Sequence, residues 1–293
     1  MMVSGFSFVR NGVRFDYPFL ESIASALPLV DEFVIVVGKS DDDTLARIRN
    51  IRSPKIHIIE SVWDEGLRTG GLILSQQTNL ALEQIRGDWG LYLQADEVLH
   101  EDDYPAIRRA IAGAQDDVRV EGLLFKYVHF FGSYRYVGHG RRWYRREIRI
   151  VRNRVGARSW GDAQGFRIGE RKMRVRLIPA RVFHYGWVKS PAVQQAKQQV
   201  FNRYWHPDYW LSRNVGSASE YDYSRGGRVK VFEGTHPAVM QSRVEQQSTD
   251  LPYDLRKNKG RLKDRVLDWV EDATGYRVGE YRNYEILPDR PSD

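Results

Sequence analysis

The sequence predicts an α/β protein with a mainly parallel sheet flanked by helices, followed by a C-terminal extension of helical and irregular structure. Three observations indicate this fold class. In the first hundred residues, short apolar runs alternate with segments whose apolar residues recur at helical spacing, which is typical of successive βαβ units. The 293 residues, 42% of them apolar, are enough to bury a full core. From Pro191 onwards the chain becomes polar and aromatic, and it contains no internal repeat.

The first half of the sheet is expected to contain four strands, each a short apolar run bounded by turn residues. These strands are predicted over residues 3–9, 32–37, 56–59 and 89–93. One helix is predicted to begin at Pro18, because Phe19, Ile23 and Leu27 recur at helical spacing. A second carries Leu74, Thr78 and Ile85 on one face and ends at Gly87.

Beyond Pro105, which opens another helix, the pattern predicts a change to a mixed sheet. Residues 123–128, 147–151 and 174–178 are β-like, and the last two runs alternate apolar and basic side chains as half-buried strands do. A helix over 191–201, an irregular stretch to Asp254 and a helix over 261–273 follow. We therefore expect one α/β domain over residues 1–189 and an extension over 190–293 that packs on it.

Two polar turns follow strands of the predicted sheet, one over residues 38–44 and one over residues 94–97. Ligands of open α/β sheets bind beyond the carboxyl ends of strands, so both turns are candidates for function. Asp96 and Glu97 are the acids of the second turn, and carboxylates suit a hard divalent cation. The alternative is an ordinary helix-capping turn.

Composition limits the class of protein and of site. Cysteine is absent, which excludes disulfides and thiolate sites, so any metal must be bound by oxygen and imidazole. No apolar run reaches the roughly 18 residues of a membrane span, and Met1 is not followed by a basic leader, so a cytoplasmic protein is expected. Residues 135–181 contain 15 Lys or Arg and 3 acids, which predicts a basic face for a polyanionic partner. The alternative for any one of these arginines is a solvated strand face.

The segment from Asn79 to Glu97, ending in Leu91-Tyr92-Leu93-Gln94-Ala95-Asp96-Glu97, resembles the nucleotide-sugar motif of family-two glycosyltransferases with the GT-A fold. Three other segments are similar to motifs of this family and occur in the expected order: residues 9–11, the turn 37–44, and Phe183-His184-Tyr185-Gly186-Trp187 followed by Lys197. Together these motifs span residues 3–197, which is more specific than any one of them.

The resemblance implies an inverting transfer of a sugar from a nucleoside-diphosphate sugar to a hydroxyl of a glycan or glycolipid. It implies Mn²⁺ or Mg²⁺ as cofactor, with Asp96 and His184 near the metal and the diphosphate. The residues expected to seat the nucleotide sugar are Arg10, Asn11, Asp42, Asn79, Gln94, Ala95 and Asp96. The chain departs from the family at Gln94 and Val37, where the family commonly has acids, so Asp96 must do most of the metal binding.

Asp162 is the candidate general base, because this family often places an acid that faces the acceptor between two such β-like segments. Arg158 and Arg167 flank it and are expected to keep it ionised. The alternative is an ordinary Gly-Asp turn. Glu147 is expected instead to form a salt bridge with neighbouring arginines. The residues expected to contact acceptor or diphosphate are Glu97, Arg142, Arg145 and Trp187.

Two other functions remain open at this point. A non-catalytic member of the fold could use the basic residues 135–181 to bind nucleic acid or an anionic membrane surface, since the segment 140–146 mixes arginines with aromatic residues. We rank nucleic acid below a diphosphate or acidic glycan, because the arginines follow a sugar-transfer motif. Nucleotidyl transfer ranks last, because residues 4–12 contain only two separated glycines.

Overall fold

A computed structural model describes residues 1–215, 218–247 and 262–288 of the chain. Within these residues the strands form one sheet. The strands are β1 Val3–Val9, β2 Glu32–Gly38, β3 Ile56–Ser61, β4 Trp89–Tyr92, β5 Glu97–Leu99, β6 Gly122–Phe131, β7 Ser133–Gly138, β8 Arg146–Arg152, β9 Ala157–Trp160, β10 Gly165–Ile168, β11 Arg171–Trp187, β12 Val229–Val231 and β13 Tyr284–Ile286. The helices are α1 Phe19–Ala26, α2 Thr44–Arg49, α3 Leu72–Leu82, α4 Tyr104–Ala114, α5 Pro191–Phe201, α6 Asp208–Asn214, α7 Gln241–Gln246 and α8 Leu262–Thr274.

The first four strands form the parallel half of the sheet, in the spatial order β3-β2-β1-β4. β8 then pairs antiparallel with β4, and β6 and β11 continue the sheet beyond it. The predicted fold class is therefore confirmed, including the change from a parallel to a mixed sheet. The carboxyl ends of β1, β2 and β4 lie at the same edge, which is where the polar turns of the sequence are located.

The strands β1, β2 and β4 are buried along almost their whole length, because helices or loops cover both of their faces. Phe6, Phe33 and Trp89 are fully buried, and β2 is buried along its whole length. Gly5 is required at its position, because a Cβ there would overlap the ring of Phe33 on the neighbouring strand. The close packing of these strands positions the turns at the carboxyl edge of the sheet.

β11 is the largest difference from the sequence prediction, which expected a strand over only 174–178. The observed strand runs from Arg171 to Trp187 and pairs in parallel with β6. It ends beside β5, where His184 pairs with Glu97 across the antiparallel ladder. The segment 183–187 is therefore part of the sheet, and His184 lies next to the turn that contains Asp96.

The C-terminal extension joins the same sheet. β13 pairs in parallel with β11, and β12 pairs antiparallel with β7. The predicted helix over 261–273 corresponds to α8, although residue 261 lies outside the described residues, as do 248–254 of the predicted irregular stretch. The domain boundary near Lys189 stays a prediction. Within the described ranges, every helix is too short or too polar to cross a membrane.

Candidate active site

A cavity of about 330 Å³ opens at the carboxyl ends of β1 and β4. Its walls come from the loop after β1, the turn after β4, the end of β11 and helix α5. Eight of the residues predicted from the sequence line it: Arg10, Asn11, Gln94, Ala95, Asp96, Asp162, His184 and Trp187. The fold thus brings together side chains that are up to 177 positions apart in the sequence, counted from Arg10 to Trp187.

Asp96 is held in a tight turn at the centre of this cavity. Its carbonyl accepts a hydrogen bond from the backbone N–H of Tyr185 at 2.8 Å, which fixes the turn against β11. Its Oδ2 lies 3.7 Å from His184 Nε2 and 3.5 Å from Lys197 Nζ. Burial alone would raise the pKa of Asp96, but the charges of His184 and Lys197 hold that pKa well below its usual range. Asp96 is therefore an anion at every physiological pH.

His129, which the sequence analysis did not single out, orients His184. Its Nε2 lies 2.8 Å from the carbonyl oxygen of Tyr144, which can only accept, so this nitrogen carries the proton. Burial, followed by the nearby His184, lowers the pKa of His129 well below its usual value, so its Nδ1 is an unprotonated acceptor. His184 Nδ1, 3.1 Å away, must then donate to it. This leaves Nε2 of His184 facing Asp96.

Gly186 leaves room beside this pair. A Cβ at this position would overlap Asp96 Oδ2 and would come within 2.7 Å of His184 Nε2. Any other residue would therefore fill the space between the carboxylate, the imidazole and the cavity. The glycine has a steric reason to stand two residues after His184.

The side chains of this cavity show whether a divalent cation would fit there. Asp96 and His184 offer one carboxylate and one imidazole, which are ligands that Mn²⁺ accepts. The ranges 1–215, 218–247 and 262–288 contain no group of three His, Asp or Glu residues placed to hold a metal. Two protein ligands suit an ion whose other ligands are diphosphate oxygens and water. The residues therefore fit a cation that binds together with a nucleoside diphosphate.

Two buried lysines lie near Asp96, and one of them, Lys197, lines the cavity. Lys197 Nζ donates to the carbonyl of Gly186 at 3.1 Å, and Lys189 Nζ donates to the carbonyl of Asp16 at 2.9 Å. Both ammonium groups lie over the ring of Tyr17, at 4.8 and 4.5 Å from its centroid. Burial lowers the pKa of each lysine. Lys197 followed the quoted motif, whereas no signal in the sequence pointed to Lys189 or Tyr17.

Arg10 and Asn11 lie in the loop after β1, as predicted for residues that seat a nucleotide. Asn11 has a left-handed backbone with φ of 53°, and its Oδ1 accepts from the N–H of Asp41 at 2.8 Å. The guanidinium of Arg10 lies 5.3 Å from the ring centroid of Trp63, which also lines the cavity. This face of the cavity combines an aromatic ring, a cation and an amide, which suits a nucleoside.

Asp42 and Asn79, which are expected to contact the nucleotide, do not line this cavity. Asp42 accepts from the N–H groups of Arg14 and Thr44 at 2.7 and 3.0 Å, and so joins the loop after β1 to the start of α2. Asn79 exchanges two hydrogen bonds with the backbone of Ser159, at 2.8 and 3.2 Å. The expectation that these two residues contact the nucleotide therefore stays a prediction.

Glu97, which is expected to contact the acceptor or the diphosphate, does not line the cavity and lies beneath it. Its side chain is fully buried and pairs with Arg149 through both oxygens, at 2.7 and 2.8 Å. Tyr127 Oη donates to the same carboxylate at 2.7 Å. Glu97 therefore cannot contact an acceptor or diphosphate. Gln94, by contrast, does line the cavity, and its amide donates to the carbonyl of Ala163 at 3.2 Å.

Asp162 lies between this cavity and a second one, and it lines both. The predicted flanking arginines do not pair with it: Arg158 pairs with Glu83, and Arg167 donates to Asn283 at 2.8 Å. Burial raises the pKa of Asp162 above its usual value. A raised pKa makes the carboxylate a stronger base than an exposed one.

Glu147 forms no ion pair with another described residue, which corrects the expectation of a salt bridge. Only 6% of it is exposed, and its Oε1 accepts from Gln164 Nε2 at 2.9 Å. Burial raises its pKa to about 8. The arginine that follows in the same strand, Arg149, is already paired with Glu97.

The substitution Glu147→Gln is expected to change how stability depends on pH. The native state keeps the proton of Glu147 up to about pH 8, whereas the unfolded chain releases it near its ordinary value. The free energy of unfolding of the wild type should therefore be highest below that ordinary value. It should fall by about 1.4 kcal/mol for each pH unit up to about pH 8, relative to the variant. Urea unfolding at pH 5 to 8 measures this. The exposed control Glu60→Gln should give a pH profile parallel to that of the wild type. If the profile of Glu147→Gln were also parallel to that of the wild type, the raised pKa of Glu147 would be contradicted.

Seven of the fourteen arginines in the basic segment 135–181 pair with acids from outside it, so the predicted basic face is partly neutralised. The ion pairs are Arg145–Glu280, Arg149–Glu97, Arg158–Glu83, Arg171–Glu121, Arg174–Glu121, Arg176–Asp117 and Arg181–Asp103. Arg142 and Arg145 do not line the first cavity but the second one. The acids lie far along the sequence, so the charge of the segment alone overstated the charge of the surface.

Comparisons with known proteins agree with this fold. A family model described as glycosyl transferase family 2 matches residues 17–178, which is more than half of the 293 residues. No curated protein sequence matches the chain. Similar solved structures include S. aureus TarS 1-349 with UDP, at 23% identity over 45% of this chain and 37% of that chain, with a TM-score of 0.34.

Two further solved structures are similar over a comparable part of the chain. The mannosyltransferase PcManGT from Pyrobaculum calidifontis with GDP-Man and Mn²⁺ is 18% identical over 42% of this chain and 34% of that chain, with a TM-score of 0.32. Glucosyl-3-phosphoglycerate synthase from Mycobacterium tuberculosis with Mn²⁺, UDP and phosphoglyceric acid is 20% identical over 44% of this chain and 43% of that chain, with a TM-score of 0.28. The match to this chain covers less than half the length of each of these three structures. The family model covers more than half of the residues of this chain. The chain therefore belongs to glycosyl transferase family 2 and has the α/β GT-A fold of that family.

Proposed function

We propose that this protein transfers a sugar, with inversion, from a nucleoside-diphosphate sugar to a hydroxyl of a glycan or glycolipid. The observation that carries the proposal is the position of Asp96 and His184, 3.7 Å apart, in the cavity beyond β4, with a second carboxylate, Asp162, on the same cavity wall. A charged pair and a separate base are what this chemistry requires. The diphosphate leaves as an anion, and the acceptor must lose a proton.

Asp96 and His184 are the residues that would hold Mn²⁺ or Mg²⁺. The cation, when bound with the donor, neutralises the charge that develops on the leaving diphosphate. Lys197, which lines the same cavity, supplies further positive charge beside Asp96. Arg10, Asn11, Gln94 and Ala95 line the remainder of the donor cavity and would position the nucleotide sugar.

Asp162 is proposed to take the proton of the acceptor hydroxyl. As the acceptor oxygen bonds to the anomeric carbon, the bond from that carbon to the diphosphate oxygen breaks, and the electron pair leaves with the nucleoside diphosphate. Attack from the side opposite the leaving group inverts the anomeric centre. Trp187, at the end of β11, lines the donor cavity and would pack against the sugar.

Replacing Asp162 by Asn is expected to reduce the rate of transfer roughly 10²-fold, because the variant cannot accept the proton. The affinity for the nucleoside diphosphate should not change, since the donor cavity retains Asp96 and His184. Steady-state kinetics and calorimetric titration with the nucleoside diphosphate separate the two effects. If Glu147→Gln abolished transfer and Asp162→Asn did not, the base would be Glu147 and this assignment would be wrong.

The proposed function is tested with a panel of nucleotide sugars, each with and without Mn²⁺. The panel includes UDP-GlcNAc and GDP-mannose, the donors named for the similar structures. We expect one donor to raise the melting temperature in a Mn²⁺-dependent manner and to release nucleoside diphosphate when acceptor is present. A protein that binds none of the donors, or that binds them equally well after Asp96→Asn, would contradict the proposal.

A further inference from the structure

A second cavity, of about 390 Å³, adjoins the donor cavity. Three segments line it: residues 141–147 before and in β8, residues 160–165 around Asp162, and residues 277–284 of the C-terminal extension. The two cavities share the side chains of Tyr144, Asp162 and Gln164. The proposed base therefore stands at the junction, where a group in the second cavity can reach a donor in the first.

The second cavity is rich in arginine, and part of this charge is not neutralised by the protein. Arg145 pairs with Glu280 at 2.8 Å, and Arg277 pairs with Glu271 at 2.7 Å. Arg146 lines the cavity, and its side chain has no hydrogen bond or ion pair to any other described residue. A guanidinium without a carboxylate partner is the group that binds a carboxylate or phosphate of a ligand.

Arg141 provides a second donor in the same wall. Its Nη2 donates to the carbonyl of Val278, whereas its Nη1 is buried and has no acceptor among the described residues. A buried N–H without an acceptor is costly, so such groups usually have a partner in the functional state. An anionic oxygen in the cavity would provide that partner.

Aromatic side chains give this cavity flat apolar faces as well as charge. Trp160 is 44% exposed and lies 3.9 Å below the guanidinium of Arg167, and Tyr281 is 70% exposed. Sugar rings present C–H groups that pack on such faces, while their hydroxyls and anionic groups reach the polar rim. Cationic groups beside aromatic rings suit a charged sugar better than a neutral one.

We propose that the second cavity is the acceptor subsite and that the acceptor is an acidic glycan, with a carboxylate or phosphate held by Arg146 and Arg141 and its hydroxyl placed at Asp162. This inference rests on the proposed function and adds the chemical class of the acceptor to it. A cavity of about 390 Å³ suits one or two sugar units.

The test compares matched sugars that differ only in charge. p-Nitrophenyl β-glucuronide is compared with p-nitrophenyl β-glucoside, and glucose 6-phosphate with glucose, by ligand-observed NMR on the full chain loaded with nucleoside diphosphate and Mn²⁺. We expect at least one anionic sugar to bind about tenfold more tightly than its neutral counterpart. The pair that shows the preference distinguishes a carboxylate from a phosphate.

The matched variants are Arg146→Gln and Arg141→Gln in the cavity, with Arg158→Gln as control, because Arg158 is exposed and lines neither cavity. Each cavity variant should reduce the preference for the anionic sugar about tenfold, whereas the control should preserve it. Either cavity variant that keeps the wild-type melting temperature suffices for the test.

Equal binding of charged and neutral sugars would overturn the inference, as would an equal loss in the Arg158→Gln control. Single-stranded RNA or anionic vesicles that bind more tightly than the anionic sugars, in a manner that depends on Arg146, would overturn it as well. Binding of the nucleoside diphosphate is measured in the same samples. If that binding fails, the proposed function itself is wrong. If it is retained without a preference for anionic sugars, only the acceptor class is wrong.

Discussion

Replacing Asp96 by Asn is expected to reduce sugar transfer roughly 10³-fold while the protein remains folded, because the substitution removes the charge that holds the cation on the leaving diphosphate. Asp96 is the carboxylate of the donor cavity that lies beside both His184 and Lys197, at 3.7 and 3.5 Å. The fold should survive, since Lys197 keeps the carbonyl of Gly186 as an acceptor at 3.1 Å. Transfer rates at saturating donor and far-ultraviolet circular dichroism measure the two effects.

A matched control for this variant is Asp102→Asn, an exposed acid that lines neither the donor cavity nor the second one. It should transfer sugar at the wild-type rate. A fall in both variants would point to a general effect of charge on the protein. Wild-type transfer by Asp96→Asn would show that the chemistry lies elsewhere.

The adjacent substitution, Glu97→Gln, is expected to lower the free energy of unfolding by about 3–5 kcal/mol. It leaves the guanidinium of Arg149, which is fully buried, without its counter-charge. Urea unfolding measures the change. The surface pair between Glu83 and Arg158 provides the control, because Glu83→Gln should cost no more than about 1 kcal/mol.

The double variant Glu97→Gln with Arg149→Met should recover much of this stability, because it removes the unpaired charge and fills the space with apolar atoms. A Glu97→Gln variant as stable as Glu83→Gln would show that the pair between Glu97 and Arg149 is not the support for the turn that we infer. Two neighbouring acids of one motif thus have separable effects, one on chemistry and one on stability.

The sequence predicted the parallel half of the fold well because its signals are local. The strands β1, β2 and β4 are largely apolar, and helix α3 carries a stripe at helical spacing. Since parallel strands end at one edge, the position of Asp96 followed from the order of elements. The family resemblance added His184, whose proximity to Asp96 depends on β11 pairing with β5.

The sequence could not show which polar residues already have partners within the fold. Asp42, Asn79 and Glu97 match the family motifs, yet each pairs with groups inside the protein. His129 is 55 residues from His184 and lies beside it only because β6 pairs with β11. Ion pairs over such separations also explain why half of the arginines of residues 135–181 are paired. Distant pairing is set by tertiary structure, which periodicity does not encode.

The most direct test of the central claim is a crystal structure of the protein with Mn²⁺ and the nucleoside diphosphate of its preferred donor, in which anomalous scattering locates the metal. We predict a manganese peak within coordinating distance of a carboxylate oxygen of Asp96 and of His184 Nε2, with the diphosphate in the cavity beyond β4. A metal and nucleotide bound away from Asp96 and His184 would contradict the account.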